Sequence, residues 1–140
     1  MVIGRTVVCG PILALALVAC GGHGTPSDPA LQPAAIRGTV TYRERFALSP
    51  SAVVVVQLQD ISRVDAPGIV VGEQRMDSPG QVPIRFEVRY DPAWIDPQRA
   101  YAISARLLQN DRLLFINDTA YYVITRGNPS RVEIVLRPVP

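Results

Sequence analysis

Alternation of apolar and charged residues is the feature that most constrains the fold of this chain. In the segment 84–90 every second residue is apolar and a charged residue fills each gap. The apolar positions are Ile84, Phe86, Val88 and Tyr90. Successive side chains of a β-strand point to opposite faces, so this period of two predicts a strand with one face in the core. The segment 36–42 repeats the pattern, and the valine run 53–56 favours a central strand covered on both faces.

Turn residues separate these runs at short and even intervals. Pro67-Gly68, Pro79-Gly80 and Gly127-Asn128-Pro129 interrupt the apolar segments, and two Asp-Pro pairs do the same within 91–97. No long helical period is present. About seven or eight short strands joined by turns predict an all-β domain over residues 35–140, a small antiparallel β-sandwich. A closed barrel is the alternative architecture.

The N-terminal residues have the pattern of a lipoprotein signal. Arg5 is followed by the apolar stretch 11–18, and small residues lead to Cys20. A basic start, an apolar core and a small-residue break are typical of a secretory signal peptide, and a cysteine directly after the break resembles the bacterial lipobox. The apolar stretch is shorter than the roughly 20 residues that a membrane-spanning helix needs. We therefore expect cleavage before Cys20 and lipidation of that cysteine, which makes the membrane a partner through the N-terminal lipid.

The segment that follows the cysteine is predicted to be a flexible tether. Residues 21–33 are rich in Gly, Pro, Ser and Thr and cannot bury enough apolar surface to offset the entropy of ordering. A flexible segment of this length spans roughly 20 Å on average. The expected organisation is a signal peptide over 1–19, a lipidated cysteine and tether over 20–34, and one domain over 35–140. Residue 21 is Gly rather than the Asp that usually signals inner-membrane retention, so we expect a periplasm-facing lipoprotein of the outer membrane.

Composition argues against several kinds of site. Fourteen basic and 12 acidic residues are interspersed without a basic tract, so no nucleic-acid partner is expected. The only histidine, His23, lies in the tether; Cys9 is lost with the signal and Cys20 is acylated. The folded domain therefore lacks both the base of a Ser-His-Asp site and the usual ligands of zinc. Asp91 and Asp96 are interpreted as turn initiators rather than an acid/base pair. We expect no enzyme activity, no cofactor and no metal.

Three aromatic residues are candidates for a partner or ligand surface: Trp94, Phe115 and Tyr122. Trp94 lies in a proline-rich loop, where it is expected to cap the open end of the sandwich; an exposed anchor for a partner is the alternative, because Trp is enriched at binding hot spots. Tyr121 and Tyr122 cannot share one face of a strand, so one is expected inside and one outside. Phe115 belongs to the apolar run 113–116, which is either a central strand or an edge that awaits pairing with another chain.

Several segments of the chain together resemble a known family. They are Gly38 to Arg45, Asp60 to Pro67, Asp91 to Ile95 and Phe115 to Thr119, within a likeness that spans residues 36–138. These segments are similar to the YbaY family of bacterial lipoproteins, which share a domain with the type III secretion lipoprotein chaperone YscW. The resemblance implies a small β-sandwich on a lipid tether in the periplasm, with no catalytic residues. For the YscW branch it implies a pilotin, which helps a secretin ring reach the outer membrane and assemble there.

Three functions follow from these features. The first is an outer-membrane lipoprotein that binds or chaperones a protein partner, such as a secretin or another envelope protein. The second is a β-sandwich that holds an envelope glycan or another small ligand on Trp94, Tyr90 and Tyr101. The third and least favoured is an envelope enzyme that works with carboxylates alone.

Overall fold

The computed structural model describes Gly4, Gly10 and residues 34–140. The predicted signal peptide, Cys20 and the tether up to residue 33 lie outside this range, apart from those two glycines. The described domain contains eight strands and one 3-10 turn, Pro92–Trp94. The strands are β1 (Ala34–Tyr42), β2 (Ala52–Asp60), β3 (Ile69–Asp77), β4 (Ile84–Tyr90), β5 (Tyr101–Gln109), β6 (Arg112–Ile116), β7 (Tyr121–Val123) and β8 (Arg131–Pro138). Within the described residues, no helix has the length and hydropathy needed to cross a membrane.

The strands form one continuous path in the order β3-β2-β5-β6-β8-β1-β4, and β7 pairs with β5 beside this path. The all-β class and the number of strands are confirmed. The sheet is mixed rather than purely antiparallel, because β1 and β8 run parallel. Parallel neighbours need a long connection, and here the rest of the domain provides it, since these are the first and last strands. The alternation within each strand carries no information about this pairing.

The sheet curls into a nearly closed barrel. Its outermost strands, β3 and β4, face each other without forming a backbone ladder in the described structure. The backbone N–H of Glu87 donates to the side-chain oxygen of Gln74 at 2.7 Å. Gly72 allows the close approach, since a Cβ there would lie 2.7 Å from the carbonyl oxygen of Arg89. The domain thus combines the predicted small all-β fold with the near closure of the alternative architecture.

The predicted inward faces form the core. Ile84, Phe86 and Val88 are buried, and Tyr90 at the end of the same strand is half-buried. Strand β2, which contains the valine run 53–56, lies between β3 and β5 as predicted for a central strand. Strand β6 lies between β5 and β8, so the run 113–116 is a central strand rather than a free edge.

The two ends of the barrel differ. We call the end at which β1 begins the tether end; there Ala34 is in register with Tyr90. We call the other the far end, where β1 finishes at Tyr42. At the far end the ring of Tyr42 stacks on Phe115 with 4.6 Å between centroids. The Tyr42 hydroxyl also donates to the carbonyl oxygen of Phe46 at 2.6 Å. An aromatic cluster therefore closes the far end.

Candidate interaction surfaces

Phe115 does not belong to any exposed surface. Its side chain is only 4% exposed and packs in the core. The reason is its place in β6: Phe115 is in register with Leu107, whose side chain is fully buried. The expectation that Phe115 contacts a partner or ligand is therefore wrong for this conformation, and its role is to pack against Tyr42.

Tyr121 and Tyr122 divide between the two faces of β7 as predicted. Tyr122 is 51% exposed, whereas Tyr121 is half-buried and packs against the core. The Tyr121 hydroxyl accepts a hydrogen bond from the backbone N–H of Val135 at 3.0 Å, so it links β7 to β8. Tyr122 is left as the residue of this pair that is available to a partner.

Exposed apolar residues extend from Tyr122 along the outer face of the sheet. Ile116 is in register with Arg106, and Leu113 with Leu108. Cross-strand partners share one face of a sheet, so these side chains lie outside the barrel together with Tyr122, which is in register with Ala102. We call Leu113, Ile116 and Tyr122 the side face.

Arginines flank a buried part of the same outer surface. Val55 is in register with Arg75 on one side and Arg106 on the other, and it is only 6% exposed although it lies outside the core cluster. Arginine stems lie along apolar surface while their charged heads remain in water, which explains this burial. The side face is thus an apolar strip with cationic neighbours.

Trp94 is exposed, contrary to the expectation that it caps the end of the domain. Its exposed fraction is 67%. The adjacent Ile95 is half-buried and packs against the core, so it occupies the capping position that Trp94 was expected to fill. Hydrogen bonds within the loop hold the backbone of Trp94 in place. The backbone N–H of Trp94 donates to the Asp91 carbonyl oxygen at 3.0 Å, and the Asp91 carboxylate accepts from the backbone N–H of Ala93 at 2.8 Å. The predicted role of Asp91 as a turn initiator is confirmed.

Trp94 shares the tether end with other exposed apolar residues. Val64, in the β2–β3 connection, is 95% exposed, and Ile69 opens β3 in register with Asp60. Asp60 is in register with Tyr101, whose hydroxyl lies 3.4 Å from the Trp94 carbonyl oxygen. These pairings place the residues at one end of the barrel. Val70, the next residue of β3, is in register with Gln59 and is exposed on the outer face of the same end. We call Val64, Ile69, Val70 and Trp94 together the end surface.

The three aromatic residues expected to hold a glycan do not form one platform. Tyr101 is buried, and its hydroxyl accepts from the backbone N–H of Asp96 at 2.9 Å. Tyr90 is half-buried, and burial raises the pKa of its phenol. Only Trp94 is open to solvent, so these three residues cannot stack a sugar ring on two or more aromatic faces.

Asp60 is the one buried carboxylate among the described residues. It is 8% exposed, and its two oxygens accept from Arg99 at 2.8 Å and from the N–H of Ser62 at 3.0 Å. Burial acts to raise its pKa, but the hydrogen bonds from Ser62 and Arg99 outweigh that effect and lower the pKa below the ordinary value. Both oxygens are used within the fold, so this carboxylate joins the end of β2 to the loop before β5.

The lowered pKa predicts a loss of stability in acid. A carboxylate with a depressed folded pKa stabilises the domain above its unfolded pKa of about 3.9, and this contribution disappears as the pH falls through the folded value. We expect Asp60→Asn to lower the free energy of unfolding at pH 7 by about 2 kcal/mol, the size of a hydrogen bond to a charged group. Urea unfolding at pH 7 and at pH 3 measures both effects. The difference from wild type is expected to shrink at pH 3. Asp65→Asn, an exposed neutralisation nearby, is the control, and equal losses in the two variants would contradict the assigned role.

A surface depression lies over β4, β1 and β8. It has a volume of about 960 Å³, and charged side chains line it. Glu87 there accepts from Arg37 at 2.7 Å and from Arg89 at 2.8 Å. The hydrogen bonds from Arg89 and Arg37 lower the pKa of Glu87. No group of three or more His, Cys, Asp or Glu side chains within the described residues is arranged to hold a metal ion.

Sequence reasoning alone did not identify Val64, Ile69, Leu113 or Ile116 as surface residues. For Val64 a local signal exists, because it is an apolar residue between Arg63 and Asp65 in a turn-rich connection. For the other three residues, no local signal separates an exposed position from a core position, since each lies in an ordinary apolar strand.

Comparison with known proteins adds a family. Residues 32–136 match the family model described as "Type III secretion system lipoprotein chaperone (YscW)". The chain is 34% identical over 146 residues to "Uncharacterized lipoprotein YbaY" of Escherichia coli (strain K12), a match that covers 93% of this chain and 76% of that protein. It is also similar to a solved structure titled "Structure of an alternative pilotin from the type II secretion system of Vibrio cholerae". That match has 40% identity and a TM-score of 0.74, and it covers 78% of this chain and 99% of the pilotin.

Proposed function

This chain belongs to the YscW family of type III secretion system lipoprotein chaperones, and from that premise we propose that it is a pilotin-like lipoprotein. Cys20 carries the lipid that holds the protein on the periplasmic face of the outer membrane. The barrel binds a secretin or another envelope protein and catalyses no reaction. The similarity to a solved pilotin over nearly its whole length is the observation that carries this proposal.

The sequence and the relatives both support the lipid anchor. The residues before Cys20 match a lipobox, and the YbaY relative is named a lipoprotein. Gly21 after the cysteine supports sorting to the outer membrane. The absence of His and Cys from residues 35–140 supports a binding role, because those residue types provide most nucleophile-activating bases and zinc ligands.

The side face is the surface that we assign to the protein partner. Leu113, Ile116 and Tyr122 lie on adjacent parts of one outer face and are exposed in the free domain. Burial of such side chains under a partner is favourable at about 25 cal/mol per Å² of apolar area. Arg106, in register with Ile116, suits a partner segment that has acidic residues beside its apolar ones, whereas Arg75 is paired with Asp77 at 3.1 Å.

We expect Ile116→Asp to weaken binding to a purified secretin of the same organism by at least about tenfold, because a charge then replaces a side chain at the centre of the side face. Binding of the detergent-purified full chain, measured by biolayer interferometry, gives the dissociation constant. Arg85→Asp is the matched control; Arg85 is exposed on β4 and belongs to neither surface defined above. Secretin binding that is equal for the two variants, or absent for the wild-type chain, would contradict this assignment.

A further inference from the structure

The tether joins the domain beside Trp94. The tether is followed by Ala34, the first residue of β1, which is in register with Tyr90, the last residue of β4. The loop that holds Trp94 starts at the next residue, Asp91. The chain therefore enters the barrel at the same end as the end surface defined by Val64, Ile69, Val70 and Trp94.

The predicted tether spans a shorter distance than the longest strands of the barrel. The predicted tether over residues 21–33 spans roughly 20 Å on average. A nine-residue strand such as β2 extends about 30 Å. Along the chain, β1 begins at the tether end directly after the predicted tether and reaches the far end only after its nine residues. If Cys20 is the anchor, the shortest length of chain therefore joins it to the end of the barrel that has the end surface.

The end surface has the chemistry of an interfacial membrane contact. Trp is enriched where proteins meet the boundary between lipid headgroups and acyl chains, because its ring is apolar and its N–H remains hydrated. Here Trp94 is accompanied by three exposed aliphatic side chains. Its backbone is fixed by hydrogen bonds at both sides of the 3-10 turn, since the N–H of Ile95 also donates to the Pro92 carbonyl oxygen at 3.2 Å.

The charges at this end are nearly balanced. Arg63 and Arg126 are opposed by Asp65 and Asp91 in the surrounding loops. Arg99 is paired with Asp60 at 2.8 Å and with Asp96 at 3.6 Å. A contact with lipid is therefore driven by the apolar side chains rather than by attraction to anionic headgroups.

We propose that the end surface rests on the lipid surface in which Cys20 is anchored, so that the barrel stands with its tether end on the membrane. This inference rests on the proposed acylation of Cys20. It leaves Leu113 and Ile116 of the side face, which pair with Leu108 and Arg106 farther along β5, away from the lipid and open to a protein partner.

Trp94 is the only tryptophan of the chain, so the tryptophan fluorescence of the protein reports on this position alone. The acylated full chain, with its acyl mass verified, is reconstituted into phosphatidylcholine vesicles with and without brominated acyl chains. We expect brominated lipid to reduce Trp94 emission about twofold, because an interfacial side chain lies within reach of the upper acyl chains. The reduction should be the same in low and high salt, as expected for an apolar contact.

The control moves the tryptophan to the far end. In the double variant Trp94→Phe, Phe46→Trp the reporter occupies a partly exposed position in the far-end aromatic cluster. We expect brominated lipid to leave its emission nearly unchanged. Equal quenching at the two positions, or no quenching of Trp94 in the acylated chain, overturns the proposal that the end surface rests on the lipid. Neither result affects secretin binding, which tests the proposed function separately. If the purified chain carries no acyl mass and does not bind the vesicles, both the proposed acylation of Cys20 and the proposed lipid contact of the end surface are wrong.

A second outcome identifies a protein as the occupant of the end surface. If purified secretin shields Trp94 from aqueous acrylamide while brominated lipid leaves it unquenched, the end surface binds protein and the membrane proposal is wrong. Val64→Ser with Ile69→Ser provides a further test. The pair removes apolar side chains that are exposed at this end, and we expect it to reduce the quenching of Trp94 without loss of secretin binding.

Discussion

Replacing Gly38 with valine is expected to disrupt the pairing of β1 with β8. Gly38 in β1 is in register with Val132 of the parallel strand β8. A Cβ at this position would lie 1.8 Å from the carbonyl oxygen of Val132 and 3.0 Å from the ring of Phe86. The contact with Val132 is to backbone, so no side-chain rotation relieves it and β1 must move away from β8. We expect the free energy of unfolding to fall by at least about 4 kcal/mol, the upper range for a single substitution.

Urea unfolding of the full chain, followed by circular dichroism, measures this loss. Thr39→Val is the matched control, because Thr39 is the next residue of β1 and its side chain is on the opposite face. We expect its stability to stay within about 0.5 kcal/mol of wild type. If Gly38→Val unfolds at the same urea concentration as Thr39→Val, the close pairing of β1 with β8 is wrong. A variant too unstable to purify agrees with the prediction when Thr39→Val is recovered in normal yield.

The second large effect is expected at Cys20. Acyl chains contribute about 0.8 kcal/mol of membrane affinity for each buried CH₂, and two or more chains give stable anchoring. A Cys20→Ala chain lacks the proposed anchor, and we expect the proposed lipid contact of the end surface to be too small to replace it. We expect the protein to move from the membrane fraction to the soluble periplasmic fraction. Cys20 lies outside residues 34–140, which form the barrel, so the released chain is expected to stay folded.

Cell fractionation with immunoblotting measures this change, and Cys9→Ala is the control. Cys9 lies in the predicted signal peptide, so its replacement should leave the mature protein and its membrane association unchanged. The comparison uses only chains from which the signal peptide has been cleaved. To ensure cleavage of Cys20→Ala, a second version of this variant has a plain secretory signal peptide in place of its own. Processed Cys20→Ala that remains in the membrane pellet would contradict the proposed acyl anchor. Sucrose-gradient separation of wild-type membranes tests the outer-membrane location.

Local patterns in the sequence predict most of the strands but little of the candidate surfaces. The alternation in 84–90 places Ile84, Phe86 and Val88 in the core, where the structure has them. The valine run 53–56 predicts a central strand, and β2 is one. Among the candidate contact residues, Tyr122 and Trp94 are exposed but Phe115 is buried. The same apolar run supplies buried Phe115 and exposed Ile116, and composition does not say which of the two points inward.

Sequence alone was sufficient for the properties that depend on neighbouring residues. These are the period-two strands, the turn at Asp91, the pattern before Cys20 that predicts lipidation, and the lack of His and Cys in the folded domain. Only the tertiary structure decided which strands are neighbours. That choice makes β1 parallel to β8, closes the far end over Phe115 and places Trp94 at the end where the tether joins. The physical reason is that alternation sets which side chains share a face within one strand. Pairing between distant strands, set by packing of the whole core, decides which of those faces meet solvent.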